Sequence, residues 1–145
     1  MGLGMYLTAK RFLWSNEEQF KKSIAAIFPD VPGAPSHIEY EVAYWRKANH
    51  IHAWFVKNVQ NGVDDCKRYY VSRKQLTELV DTCKKVLANP KKANTLLPTQ
   101  SGFFIGGVEY DQGYLDDLQY TIGALTKVVD PMIYKGWDFE YHSSW

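Results

Sequence analysis

Between residues 37 and 59 the hydrophobic period changes from two to 3.6 with no loop in between, and this change limits what the chain folds into. His37 to Tyr44 alternates, with Ile38, Tyr40, Val42 and Tyr44 on one side and His37, Glu39, Glu41 and Ala43 on the other. That is the pattern of a strand. The following stretch, YWRKANHIHAWFVKNV over residues 44–59, sets Tyr44, Ala48, Ile51, Phe55 and Val59 on one helical stripe. The switch falls near Trp45, so Tyr44 fits either element. A strand running straight into a helix places residues 45–49 at a helix N-terminus, where unsatisfied N–H groups favour anions. Arg46 and Lys47 oppose the helix dipole there. A bound anion lifts that cost, and so does simple reach into water. The faces carrying Trp45, Arg46, Asn49, His50, His52 and Trp54 are too aromatic for a plain solvated surface and too polar for a core.

The rest of the chain supplies further strands and helices. Residues 5–13 read as a strand, with Met5, Leu7 and Ala9 opposite Tyr6, Thr8 and Lys10. A helix is expected from Ser15, with Glu18 completing a capping box and Phe20, Ile24, Ile27 and Phe28 as its apolar stripe up to Pro29. Residues 30–36, with three prolines and a glycine counted from Pro29, form a loop, and residues 60–67 a turn. Residues 68–71 read as a short strand. Ser72 and Gln75 make a second capping box ahead of Leu76, Leu79, Val80, Cys83, Val86 and Leu87, the cleanest amphipathic helix in the sequence. A helical turn follows at 91–97. The polar turn Thr99, Gln100, Ser101 and Gly102 leads into Phe103, Phe104 and Ile105, expected as a buried extended segment. A last helix is expected over 113–129 and a last strand over 137–143, pairing with the first. The fold class is therefore α+β: about four helices packed with a small, largely antiparallel sheet of four or five short strands. Residues 1–145 are expected to form one domain.

Composition narrows the function classes. A net charge of +1 gives no global basic field, which argues against broad duplex DNA binding. Two cysteines are too few for a disulfide scaffold or a four-cysteine zinc site. No signal sequence or run of membrane-spanning length is seen, so no membrane partner and a cytoplasmic location are expected. Aromatic residues make up 15% of the chain, more than a core of this size needs. Surplus aromatics favour binding surfaces.

Four motifs together resemble a family of small proteins encoded by bacteriophages and prophages: residues 1–7; YWRKAN with Ile51, His52, Trp54, Phe55 and Val56; Asp64, Asp65 and Cys66; and PTQSGFF at 98–104. The resemblance extends to about Thr121. Gly4 stands where the family pattern has an aspartate. The family carries no activity to transfer. It implies a phage setting, a host bacterial cytosol, and an accessory role such as countering a host defence.

Several chemistries compete for these residues. His50 and His52 are two apart, which points them to different sides of a helix, unlike the i, i+4 pair of a helical zinc site. No metal and no cofactor are expected. Ser101 lacks the preceding glycine of a nucleophile elbow. A thiol site from Cys66 with His50 or His52 and Asp64 is not demanded by spacing, so an enzyme is the less favoured reading. Binding is favoured by co-occurrence. Arg46 and Lys47 suit phosphates. Trp45, Trp54 or Phe103 suit stacking on a base. Asn49, His52, Thr99, Gln100, Ser101 and Gly102 suit orienting a ligand. The leading expectation is a non-enzymatic protein that sequesters a small anionic, nucleotide-derived ligand. The alternative is an inhibitor that binds a host defence protein through Tyr110, Tyr114, Tyr120, Tyr134, Trp137, Tyr141 and Trp145. Self-association into a homo-oligomer fits either. The ligand reading needs residues 46–49 and 99–102 to line one concave pocket; the inhibitor reading leaves residues 99–101 dispensable.

Overall fold

The computed structural model describes residues 2–102 and 106–145. Four strands, β1 (Gly4–Phe12), β2 (His37–Arg46), β3 (Tyr69–Val71) and β4 (Asp138–Ser144), form one antiparallel sheet in the order β2-β1-β4-β3. The helices are α1 (Glu18–Ala25), α2 (Asn49–Asn58), α3 (Arg73–Ala88), α4 (Ala93–Leu96) and α5 (Gln112–Leu125). A 3₁₀ turn, Pro90–Lys92, precedes α4. This is an α+β fold with β1 and β4 joined at its centre. Among the described residues no helix is long and apolar enough to cross a membrane.

The alternation in β1 divides the two faces of the sheet. Met5, Leu7 and Ala9 are fully buried, with Phe139 and Tyr141 of β4 beside them. Ile51 and Phe55 of α2, Leu76, Leu79 and Cys83 of α3, and Leu118 and Leu125 of α5 complete that core. Burying each such side chain is worth about 1.5–3 kcal/mol. Tyr6, Thr8 and Lys10 lie on the other face. There Tyr6 stacks on His142, Lys10 pairs with Glu140 at 3.1 Å, and Arg68 pairs with Glu39 at 2.9 Å.

The strand-to-helix switch lies later than the sequence places it. β2 continues through Arg46, and α2 begins only at Asn49. Tyr44 is thus a strand residue opposite Tyr6, and it does not join the helical stripe, whose other members Ala48, Ile51, Phe55 and Val59 are buried. A bulge also interrupts β2. Leu7 faces Ala43 while Thr8 faces Glu41, so Val42 is an extra residue. One extra residue reverses which side chains share a face. Tyr40, opposite Ala9, therefore packs near Tyr134 and Trp137, while Tyr44 sits on the other side of the sheet with Tyr6.

The first helix departs from expectation more strongly. Ser15 caps nothing. The residue before α1 is Glu17, whose carboxylate instead accepts from the Trp14 N–H at 2.9 Å and from Arg11. No residue of α1 is buried, and Phe20, Ile27 and Phe28 are exposed. The second capping box forms as the sequence implies: Ser72 Oγ accepts from the Gln75 N–H at 3.0 Å, and Gln75 Oε1 accepts from the Ser72 N–H at 2.9 Å. The aromatics near the end of the chain do not make one patch. Tyr114 and Tyr141 belong to the core, while Tyr110, Tyr120 and Trp145 are exposed. The extended segment expected at residues 103–105 lies outside the described residues.

Candidate functional site

Asn49, the first residue of α2, ties together the two motifs singled out in the sequence. Its side chain is almost fully buried. Its Oδ1 accepts from the Gln100 N–H at 2.7 Å, and its Nδ2 donates to the Gly107 carbonyl at 2.7 Å. Both partners are backbone groups, so one amide holds two points of the 98–107 stretch against the start of the helix. The approach is made possible by Lys47, whose φ of 57° turns the chain sharply after β2. A non-glycine residue there is uncommon and costs about 1 kcal/mol or more. Thr99 fixes its own loop, donating from Oγ1 to the Val108 carbonyl at 2.8 Å.

Gly106 makes the closest approach to that turn. Its φ is 89°, and a Cβ there would lie 2.6 Å from the Lys47 carbonyl oxygen. Gly106→Ala therefore meets both a backbone clash and a conformation that L-residues rarely adopt. We expect a loss of about 2–4 kcal/mol, a fall in Tm of roughly 5–10 °C by thermal denaturation. An unchanged Tm would show that this approach is not held in solution.

Two adjoining hollows open beside Asn49. The larger, about 960 Å³, lies between α2, the turn after it and the 95–101 stretch; His52, Trp54, Asn58, Asp64, Gln100 and Ser101 are on its walls. The smaller, about 310 Å³, is lined by Arg46, Lys47, Thr99, Glu109, Asp111 and Asp117. Asn49 and His50 line both. The expected site residues are thus brought together, but divided: the cations and Thr99 face one hollow, the amides and Trp54 the other. Trp45 faces neither. Its indole is buried and donates to Thr121 Oγ1 at 2.8 Å, because as a strand residue opposite Met5 it points into the core. Gly102 lines neither hollow, and Phe103 lies outside the described residues.

The electrostatics differ between the hollows. Arg46 and Lys47 make no ion pair with other described residues, whereas Asp111 is occupied as the N-cap of α5, accepting from the Tyr114 N–H at 3.1 Å. His50 packs on the Tyr114 ring, and burial pushes its pKa down to about 4. Its Nε2 is 3.6 Å from Asp117 Oδ2 and makes no hydrogen bond. Burial, with Asp116 and Asp111 nearby, pushes Asp117 up to about 6. At neutral pH the pair is therefore a neutral imidazole beside a carboxylate.

In the larger hollow, His52 does not present a free nitrogen. Its Nε2 faces Asp64 Oδ2 at 3.0 Å and its Nδ1 faces the Tyr141 hydroxyl at 2.6 Å. With a carboxylate on one side, Nε2 carries the proton and Nδ1 accepts from Tyr141. Tyr141 is fully buried and stacked on Phe55 at 3.8 Å. His52 is engaged by these two groups, and among the described residues no hydrogen bond joins Cys66 to it or to His50 Nε2. Cys83 is buried in the core, which pushes its thiol up to about 12.

Sequence reasoning missed Asn58, Asn61, Lys57, Asp64, His50 and Asp117 as lining residues. Part of this was legible. Trp54, Lys57, Asn58 and Asn61 recur at steps of three, one and three, so they share one face running off the end of α2. Asp64 and Asp117 are placed by tertiary packing alone. No protein-family model, no curated protein and no solved structure matches the chain.

Proposed function

We propose that this chain is a phage-type accessory protein that binds and sequesters a small anionic, nucleotide-derived ligand without turning it over. The observation that carries the reading is the Asn49 clasp, which sets Arg46, Lys47 and Asn49 and residues 99–101 around two hollows that share Asn49 and His50. The ligand's base occupies the larger hollow, against Trp54 and the amides of Asn58, Asn61 and Gln100. Its phosphate faces Arg46 and Lys47 in the smaller one. The phage setting rests on the motif resemblance, and a host-made nucleotide signal is the ligand that such a setting supplies.

The test is direct. The protein is purified from infected cells and denatured, and the released small molecules are read by mass spectrometry. Linear and cyclic nucleotides are then screened by thermal shift. A ligand at 100 times its Kd adds about 2.7 kcal/mol of stability, which is readily measured. No released molecule together with no shift across the panel overturns the proposal.

A separate observation favours the alternative, an inhibitor that binds a host protein. Trp14, Ile27, Phe28 and Val31, which flank α1, are each at least 60% exposed. Solvent-facing apolar residues in such number are typical of an interface. On that reading one host protein co-purifies, and Trp14→Ser or Phe28→Ser releases it while changes at Gln100 do not.

A further inference from the structure

We infer that the Asp64 carboxylate reads the base edge of the ligand and selects a purine carrying adjacent N–H donors, guanine above hypoxanthine above adenine. The inference rests on the nucleotide reading above and names the base.

Asp64 lies on the wall of the larger hollow with its side chain 41% exposed. Each of its oxygens accepts one bond from the protein: Oδ2 from His52 Nε2 at 3.0 Å, and Oδ1 from Trp145 Nε1 at 3.1 Å. A carboxylate has about four lone-pair positions, so each oxygen keeps one for a ligand. The orientation is imposed from the core outward. Phe55 holds the Tyr141 ring, Tyr141 holds His52, and His52 holds the carboxylate. No lysine or arginine among the described residues pairs with it. A charge serving only a surface turn needs no such support, whereas a fixed acceptor is what a selective site requires.

The ligand chemistry follows. A phosphate beside Asp64 is repelled. The smaller hollow also carries Glu109, Asp111 and Asp117, but its Arg46 and Lys47 are free of ion pairs with other described residues. On the reading above, the anionic end therefore lies toward those two cations and the base toward Asp64. The edge that meets the carboxylate must supply hydrogens. Guanine presents its ring N1–H beside the exocyclic N2–H, one donor for each oxygen. Hypoxanthine keeps the ring N–H and lacks the amine. Adenine offers one amine next to a bare ring nitrogen, whose lone pair would face the second oxygen. A site with paired acceptors rejects the ligand that leaves one of them opposed or unpaired.

The experiment is calorimetric titration of GMP, IMP and AMP into the full chain, repeated with Asp64→Asn and Trp145→Phe. We expect GMP to bind about tenfold or more tighter than IMP, with AMP weakest. Asp64→Asn should remove this order, and Trp145→Phe, which takes away one orienting donor at an exposed position, should reduce it. If none of the three nucleotides binds the unaltered protein and the wider screen is also blank, the nucleotide reading fails and this inference with it. If the three bind equally, or if the guanine preference survives in both variants, the inference is overturned while the ligand reading stands. Melting curves for both variants show whether a lost preference reflects a lost fold, and Trp145→Phe gives the answer if Asp64→Asn does not fold.

Discussion

Asn49→Ala is expected to destroy ligand binding and to lower stability by about 1–3 kcal/mol, by lost bonds rather than by lost packing. The truncation strips the Gln100 N–H of its acceptor and the Gly107 carbonyl of its donor. Gln100 and Gly107 are themselves exposed, so water can replace each lost bond and the cost is the net worth of a hydrogen bond, about 0.5–1.5 kcal/mol apiece. More important for function, these two bonds hold Gln100 and Gly107 against the start of α2, beside both hollows, so their loss loosens a shared wall. Asn49→Asp sharpens the test. It keeps an acceptor for Gln100 but replaces the donor to Gly107 with a buried negative charge, so it should be no better than alanine. Urea unfolding and nucleotide titration measure the two effects. An Asn49→Ala protein with wild-type midpoint and affinity would show that the clasp organises nothing.

The second large effect is on the pH dependence of stability, where His50 and Asp117 act in opposite directions. His50 is held near 4 in the fold against about 6.5 in the unfolded chain. As pH falls from 6.5 to 4 the unfolded state takes up a proton that the folded state refuses, so stability falls, by about 3 kcal/mol from this group. Asp117 is raised to about 6 against 3.8 unfolded. Between pH 6 and 3.8 the folded state binds the proton first, so stability contributed by Asp117 rises as pH falls. Its carboxylate is about a third exposed, and solvent screening reduces that contribution to roughly 1 kcal/mol. His50→Gln should therefore lose much less stability than the unaltered protein between pH 7.5 and 4.5. Asp117→Asn should be more stable at pH 7.5 and lose more on acidification. Comparing each variant's difference between the two pH values cancels the other titrating groups. Parallel curves for all three proteins would contradict the buried, neutral state of His50.

How far the sequence carries depends on what kind of force positions each residue. The strands β1 and β4, the capping box of α3 and the α+β class were readable because alternation and capping are local. The start of α2 was misplaced because Tyr44 to Lys47 satisfies both periods, and only the pairing of Arg46 with Gly4 decides for the strand. Trp45 looked like a stacking residue for the same reason, and strand geometry turns it inward. The apolar run around α1 promised burial, but no residue of α1 is buried. In the site, Asn49, Trp54 and Gln100 were found because cation, amide and aromatic residues cluster in two short motifs. Asp64 reads as a turn residue in the sequence. Its place on the wall depends on His52 and Tyr141, 12 and 77 residues away.

The seam between β1 and β4 has a consequence for how the molecule assembles. It joins Gly4 to Ser144 and Lys10 to Asp138, so the centre of the sheet is closed by partners at opposite ends of the described chain. Contacts of such separation form slowly, since a long loop must be ordered before they gain anything. During synthesis the β1–β2 hairpin can form early, but β1 waits for its second neighbour until residues 138–144 emerge. Tyr141 arrives with that strand, and with it the support of His52 and Asp64. The wall of the larger hollow is thus among the last parts of the molecule to take shape, and a chain stalled before that point has its hairpin and its helices without a finished place for a ligand.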